Sequence, residues 1–193
     1  MLSVGIVAPI LVAASSLWNI DPGHTHVGFS VKHMMVSNVR GEFSGVKGTI
    51  MLDDDVTKSK VDVTVDMATV DTREPKRDDH LKSPDFFDVA KFPTMTFKSK
   101  SLKAAGADKL TMTGDLTMHG VTKEVTFEVS GFGNEIKDPW GNTRRGATAT
   151  AQINRKDFGL TWNKAMDKGG VVVGEAVTIQ LEVELLKDTG KKS

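Results

Sequence analysis

Five histidines are the residues most open to a chemical reading in this chain, which contains no cysteine. His24 and His26 stand two apart, so on a strand they project from one face. With His33, His80 or His119 they supply enough nitrogen ligands for a zinc ion. No compact ligand motif accompanies them, neither H-E-x-x-H nor paired C-x-x-C. Hydrogen bonding at strand ends and turns accounts for them more simply, and no metal site is expected. Nucleophilic catalysis finds as little support. Ser30, Ser37 and Ser44 lie outside any G-x-S-x-G elbow, and there is no thiol. The acids Asp53-Asp54-Asp55 and Asp78-Asp79 are neighbours in sequence, whereas a hydrolytic pair must face each other across a cleft. Gly169-Gly170 precedes an alternating run rather than a helix, which is not the phosphate-cradling arrangement. The expectation is a protein without catalytic residues and without a resident cofactor.

Composition narrows the choice further. A length of 193 residues suits one domain, two at most. With 25 Lys+Arg against 25 Asp+Glu there is no basic excess for a nucleic-acid phosphate backbone, and none for simple docking on anionic membranes. Stacking of single-stranded nucleic acid on an open barrel face would need aromatic and basic side chains together. Phe97 and Lys98 are adjacent, so on a strand they point to opposite faces.

The elements that position these residues are strands. Val27, Phe29 and Val31 alternate with polar or small residues, as do Val61, Val63, Val65 and Met67. Leu110, Met112, Leu116 and Met118 share one face; Val125, Phe127 and Val129 share another. Val177, Ile179, Leu181, Val183 and Leu185 make the longest run. Weaker runs cover 41–52, 94–102 and 147–155, the last with Ala147, Ala149, Ala151 and Ile153 on one side. Eight runs, each apolar on one face only, predict an all-β antiparallel fold, because strands covered on both faces would be apolar throughout. Gly45, Gly48 and Gly114 suggest bends or bulges. Closure into a barrel and a two-sheet sandwich both satisfy this pattern.

One segment lacks period two. Residues 72–92 read as a short helix over 74–82, capped by Thr72 with Pro75 in its first turn, and a second turn starting at Ser83-Pro84-Asp85. Phe86, Phe87, Val89 and Phe92 would pack across one end of the sheet. Residues 1–17 stand apart. The uncharged apolar run 2–14 is shorter than the roughly 20 residues a membrane span needs, and small residues from Ala13 to Ser16 follow it. It reads as an export signal cleaved near Ala14, giving a periplasmic or secreted protein. No Lys or Arg precedes the run, so an uncleaved anchor or a native terminal strand stays open, with a cytoplasmic location in the absence of a signal. Residues 18–187 form the folded domain and 188–193 a polar tail.

The remaining chemistry is apolar. Nine Met and nine Phe with no Tyr could fill a barrel core or line a cavity for a flexible chain. If the sheet closes, Phe29, Val31, Phe97, Met112, Leu116, Met118, Val125, Phe127 and Ile179 face inward and line a continuous tunnel. His24, His33 and Arg144 flank strand ends and are the candidates for contacts to a polar head group. A site of this kind discriminates chain length better than head group.

Several ordered motifs carry a resemblance. Ile20-Asp21-Pro22-Gly23-His24-Thr25-His26 running into Val27-Gly28-Phe29-Ser30-Val31-Lys32-His33-Met34 is the first. Phe87-Asp88-Val89-Ala90-Lys91-Phe92-Pro93-Thr94-Met95 and Leu116-Thr117-Met118-His119-Gly120-Val121 follow in order. Asn154-Arg155-Lys156-Asp157-Phe158-Gly159 and Val173-Gly174-Glu175-Ala176 complete the set. Over residues 18–187 the chain resembles the YceI-like, polyisoprenoid-binding family, with Gly23 where Ala or Asn is common. The resemblance implies an eight-stranded antiparallel lipocalin-like barrel with a short helical insertion. It implies a long apolar ligand inside, such as a polyisoprenoid, a quinone tail or a fatty amide. It also implies a bacterial periplasmic or secreted setting and a homodimer in some members, and it supplies no catalytic residue. Two functions follow: a lipid carrier or sequestering protein, and a stress-response or structural interaction module with a filled core.

Overall fold

The computed structural model describes residues 15–167 and 169–190; the apolar run 2–14 lies outside them. Alternation becomes strand wherever it occurs. Lys109–Met118 (β8) buries every second residue, from Leu110 to Met118, and leaves the threonines and Asp115 on the other face. The strands before it are β1 (Ser15–Ile20), β2 (His26–His33), β3 (Ser37–Phe43), β4 (Val46–Asp53), β5 (Lys60–Asp66), β6 (Val70–Asp71) and β7 (Thr94–Gly106). Those after it are β9 (Val121–Ser130), β10 (Glu135–Lys137), β11 (Thr143–Asn154) and β12 (Val173–Lys187).

These strands make eight staves of a closed antiparallel barrel. β1 and β2 are one stave interrupted at residues 21–25, and β3 and β4 are a second broken at Ser44 and Gly45. β5 with β6 is the third, and β7, β8, β9, β11 and β12 complete the ring in sequence order. Closure depends on β12. Leu185–Lys187 pair with β1 and Val173–Glu182 with β2, while its other edge pairs with β11 from Leu186 to Ala176. Closure leaves few of these backbone groups at an open edge.

Close approaches explain two glycines. A Cβ on Gly114 would lie 2.4 Å from the Lys98 carbonyl and 2.6 Å from the Phe97 ring. The β7–β8 register slips between Ser99 and Ser101, so the bulge falls opposite Gly114. A Cβ on Gly48 would lie 2.4 Å from the Asp62 carbonyl.

The insertion closes one end. Among the described residues it holds one α-helix, α1 (Pro75–Lys82), with Pro75 at its start. Its cap is Glu74, which accepts from the Lys76 N–H at 3.3 Å, and not the predicted Thr72. Thr72 is bound elsewhere: its hydroxyl donates to Asp78 Oδ1 at 2.5 Å and accepts from Arg77 Nε at 2.8 Å. Ser83-Pro84-Asp85 forms a turn with no second α-helix; the Ser83 hydroxyl accepts from the Asp85 N–H at 3.3 Å, as a cap does, and donates back to the His80 carbonyl at 2.7 Å. Two further departures concern apolar residues. Ser15–Leu17, expected with the leader, pair with Asp53–Met51 and bring Trp18 to full burial. Met34 and Met35, candidates for the core, occupy the exposed β2–β3 turn at φ 49° and 62°.

Candidate functional site

Inward-facing side chains leave two cavities along the barrel axis. The first, about 260 Å³, lies beneath the insertion. Val27, Phe29 and Val31 of β2 and Val177 and Ile179 of β12 form its wall, and Phe86 and Phe87 cover it. The second, about 170 Å³, occupies the other half of the barrel between Phe97, Met112, Leu116, Phe127, Leu181 and Val183. Val27, Met95 and Ile179 line both, so the cavities meet at these three side chains. Aromatic rings shape each: Phe29 and Phe43 lie 5.7 Å apart in the first, Phe97 and Phe127 5.2 Å apart in the second.

The nine expected lining residues divide between these spaces. Phe29, Val31 and Met118 line the first; Phe97, Met112, Leu116 and Phe127 the second; Ile179 both. Val125 lines neither: it is buried in the wall opposite Gly114.

The three head-group candidates part company. His33 lines the first cavity. His24 and Arg144 line neither cavity and lie in a groove on the outer surface. The pleat decides this for Arg144, whose neighbour Arg145 shares the inward face of Ala147 and Ala149. Arg144 donates to Asp138 Oδ2 at 2.7 Å, to Asp21 Oδ2 at 2.8 Å and to Glu184. Burial raises the Asp138 carboxyl, but Arg144, the Asn142 side chain and the backbone N–H groups of Asn142 and Trp140 outweigh it and hold the pKa at about 2. Burial likewise opposes Asp21, whose bonds from His24 and Arg144 bring its net pKa below the usual value. Asp21, His24 and Glu184 are close enough together to ligate a cation. The Arg144 guanidinium already bonds both acids, so the cluster reads as an ion-pair network.

Alternation also located residues that the sequence reading passed over. The face carrying Ala147, Ala149, Ala151 and Ile153 extends to Arg145 at one end and Arg155 at the other. Arg145 reaches the second cavity, 5.2 Å from the Trp18 ring centroid, and donates to the Phe132 carbonyl and Glu135. Its Nε is buried without a hydrogen-bond partner. Arg155 is 3% exposed on the wall of the first cavity. It donates to the carbonyls of Gly174 at 2.8 Å, Leu160 at 2.5 Å and Val173 at 3.3 Å, which ties residues 155–174 to the barrel. Lys32, Arg77, His80 and Trp162 complete the polar rim. Arg77 and His80 come from a helix with no apolar period, so no sequence pattern pointed to them.

A family model for the YceI-like domain matches residues 18–185. "Protein YceI" of Salmonella newport is 42% identical over 151 residues, 78% of each chain. The chain belongs to the YceI-like family. The Burkholderia cenocepacia BcnA crystal structure shares the fold at TM-score 0.73 and 22% identity, covering 86% of this chain and 98% of that one. A polyisoprenoid binding domain from Saccharophagus degradans, implicated in plant cell wall breakdown, aligns at TM-score 0.64 and 14% identity. It covers 89% of this chain and 98% of the other. The motifs that carry YceI-like membership also build the cavity. Phe29 and Val31 come from the first, Phe87 and Met95 from the second, Met118 from the third and Arg155 from the fourth.

Proposed function

We propose that this YceI-like barrel binds a long-chain apolar molecule in its interior and acts as a lipid carrier or sequestering protein. A polyisoprenoid, a quinone tail and a fatty amide all fit the reading. The observation that carries it is the unfilled volume. About 260 Å³ of largely apolar space opens beneath the insertion, space that a filled core would occupy with side chains and that a flexible chain can take. The polyisoprenoid-binding neighbour adds support of the same kind. No catalytic step enters this reading. A periplasmic or secreted location agrees with the uncharged apolar run 2–14.

Native mass spectrometry of protein purified without detergent tests the proposal. A retained adduct whose organic extract is a long-chain lipid is the expected result. Repeated recovery of the bare chain mass, with no uptake of added polyprenyl lipid, would overturn it.

A further inference from the structure

The two cavities differ in the charge of their walls. The second has one cation, Arg145, paired with Glu135 at 3.2 Å. The first has Lys32, Arg77 and Arg155 along its lining, with His33 and His80, and no Asp or Glu. Among the described residues no carboxylate lies within ion-pair distance of those three cations. Arg155 is 3% exposed and its charge meets only backbone carbonyls; Glu175 acts on it from a distance and is itself paired with Lys156. Arg77 spends Nε and Nη2 on Thr72, at 2.8 Å each, and Nη1 has no hydrogen-bond partner among the described residues. Asp78 shares Thr72 with Arg77 and reaches it only through that hydroxyl. His80 is held edge-on to Phe86 and Trp162 by Asp85, 2.9 Å from its Nε2.

Arg155, buried, and Arg77, half-buried, attract an opposite charge strongly beside this apolar surface because little water screens them, while the exposed Lys32 adds a weaker, screened attraction from the outer edge of the rim. A guanidinium with donors to spare suits a carboxylate or phosphate. From this asymmetry we infer that the ligand has an anionic head group, carboxylate or phosphate, held at the rim of the first cavity by Arg77 and Lys32. Its chain extends past Phe29 and Ile179 toward the second cavity. Arg155 contributes a fixed positive field from the wall. The inference rests on the apolar-ligand reading and adds the charge of the polar end.

Four probes at pH 8 test it, by displacement of a fluorescent lipid from the full folded chain: octadecanoic acid, octadecanol, decaprenyl phosphate and decaprenol. The expected result is that each anion binds about tenfold or more tighter than its neutral partner, a ratio worth ~1.4 kcal/mol. The acid and phosphate arms separate a fatty acid from a polyprenyl phosphate as the source. In Lys32→Gln/Arg77→Gln the anion-to-neutral ratio should collapse to about threefold or less. Lys32→Gln alone, at an exposed position, should lower it partway and covers the case in which loss of the Arg77–Thr72 bonds unfolds the double variant. Equal binding of anions and alcohols by the unmodified protein, or an unchanged ratio in folded variants, would overturn the head-group inference and leave apolar binding standing. No binding by any of the four would overturn both.

Discussion

The Phe29 ring lies over Gly41 so closely that a Cβ on Gly41 would sit 2.4 Å from Phe29 Cζ. Gly41 faces Phe29 across the β2–β3 pair, and the missing side chain is what lets the ring lie against the wall of the first cavity. The same Cβ would meet Thr72 Cγ2 at 2.7 Å, so an added methyl is blocked from two sides. Gly41→Ala should therefore push Phe29 into the cavity, destabilising the protein by about 1–3 kcal/mol and reducing lipid uptake. Adding Phe29→Leu should recover part of both. Urea unfolding and lipid extraction on the single and double variants check this, and a single variant with unchanged uptake would contradict it.

Charges placed in each cavity report where the ligand lies. Met118→Asp introduces a carboxylate into the first cavity and Phe127→Lys an ammonium into the second. An unpaired charge against hydrocarbon is strongly unfavourable, so a ligand spanning both cavities should lose at least about tenfold in binding with either change. Circular dichroism must show that each variant is folded. Loss with only one of the two would confine the ligand to that cavity.

The Arg144 cluster sets the response to acid. Asp138 has its pKa lowered from the ordinary 3.8 to about 2. A carboxyl depressed on folding stabilises the folded state above its unfolded pKa, and this stability is lost as pH falls through the folded value. Stability should therefore decline between about pH 4 and about pH 2. Asp138→Asn should flatten that decline and lower stability at pH 7. Urea unfolding across this window decides the point; identical slopes for the two proteins would contradict it.

The burial of Trp18 limits where a leader can be removed. Trp18 is fully buried, beneath the Arg145 guanidinium and the Lys187 ammonium at 5.2 and 5.3 Å from its ring centroid. A chain beginning at Ser15 keeps the pairs that Ser15–Ile20 make with β4 and β12 and the buried indole. A chain beginning at Asn19 loses the indole and should be less stable by roughly 3–5 kcal/mol. Intact mass of exported protein should accordingly show loss of about 14–17 residues, and not of 18 or more.

Much of this architecture can be read from residue order. Alternation in 110–118 assigns Leu110, Met112, Leu116 and Met118 to one face, and burial follows that parity. The parity of Ala147 and Ile153, continued outward, reaches Arg145 and Arg155 as well; proximity to strand ends pointed instead to Arg144 and His24, whose side chains lie outside. Capping was readable only in part. Glu74 took the role expected of Thr72, because Thr72 had better partners in Asp78 and Arg77.

Sequence alone determined that each stave has one apolar face, which residues belong to it, and where the aperiodic insertion falls. Those properties are local, since a strand's pleat assigns faces by parity whatever its neighbours are. Tertiary structure decided closure, through β12 pairing with β1 and β2 on one edge, contacts that join residues 140 to 169 positions apart, and with β11 on the other. It also decided that the inner faces stop short of filling the barrel, because the volume between them depends on strand number, stagger and the bulge at Gly114 together. The charged rim belongs to the same level. Lys32, Arg77 and Arg155 come from a strand, a helix and a turn far apart in the chain, and only the folded barrel brings them to one cavity.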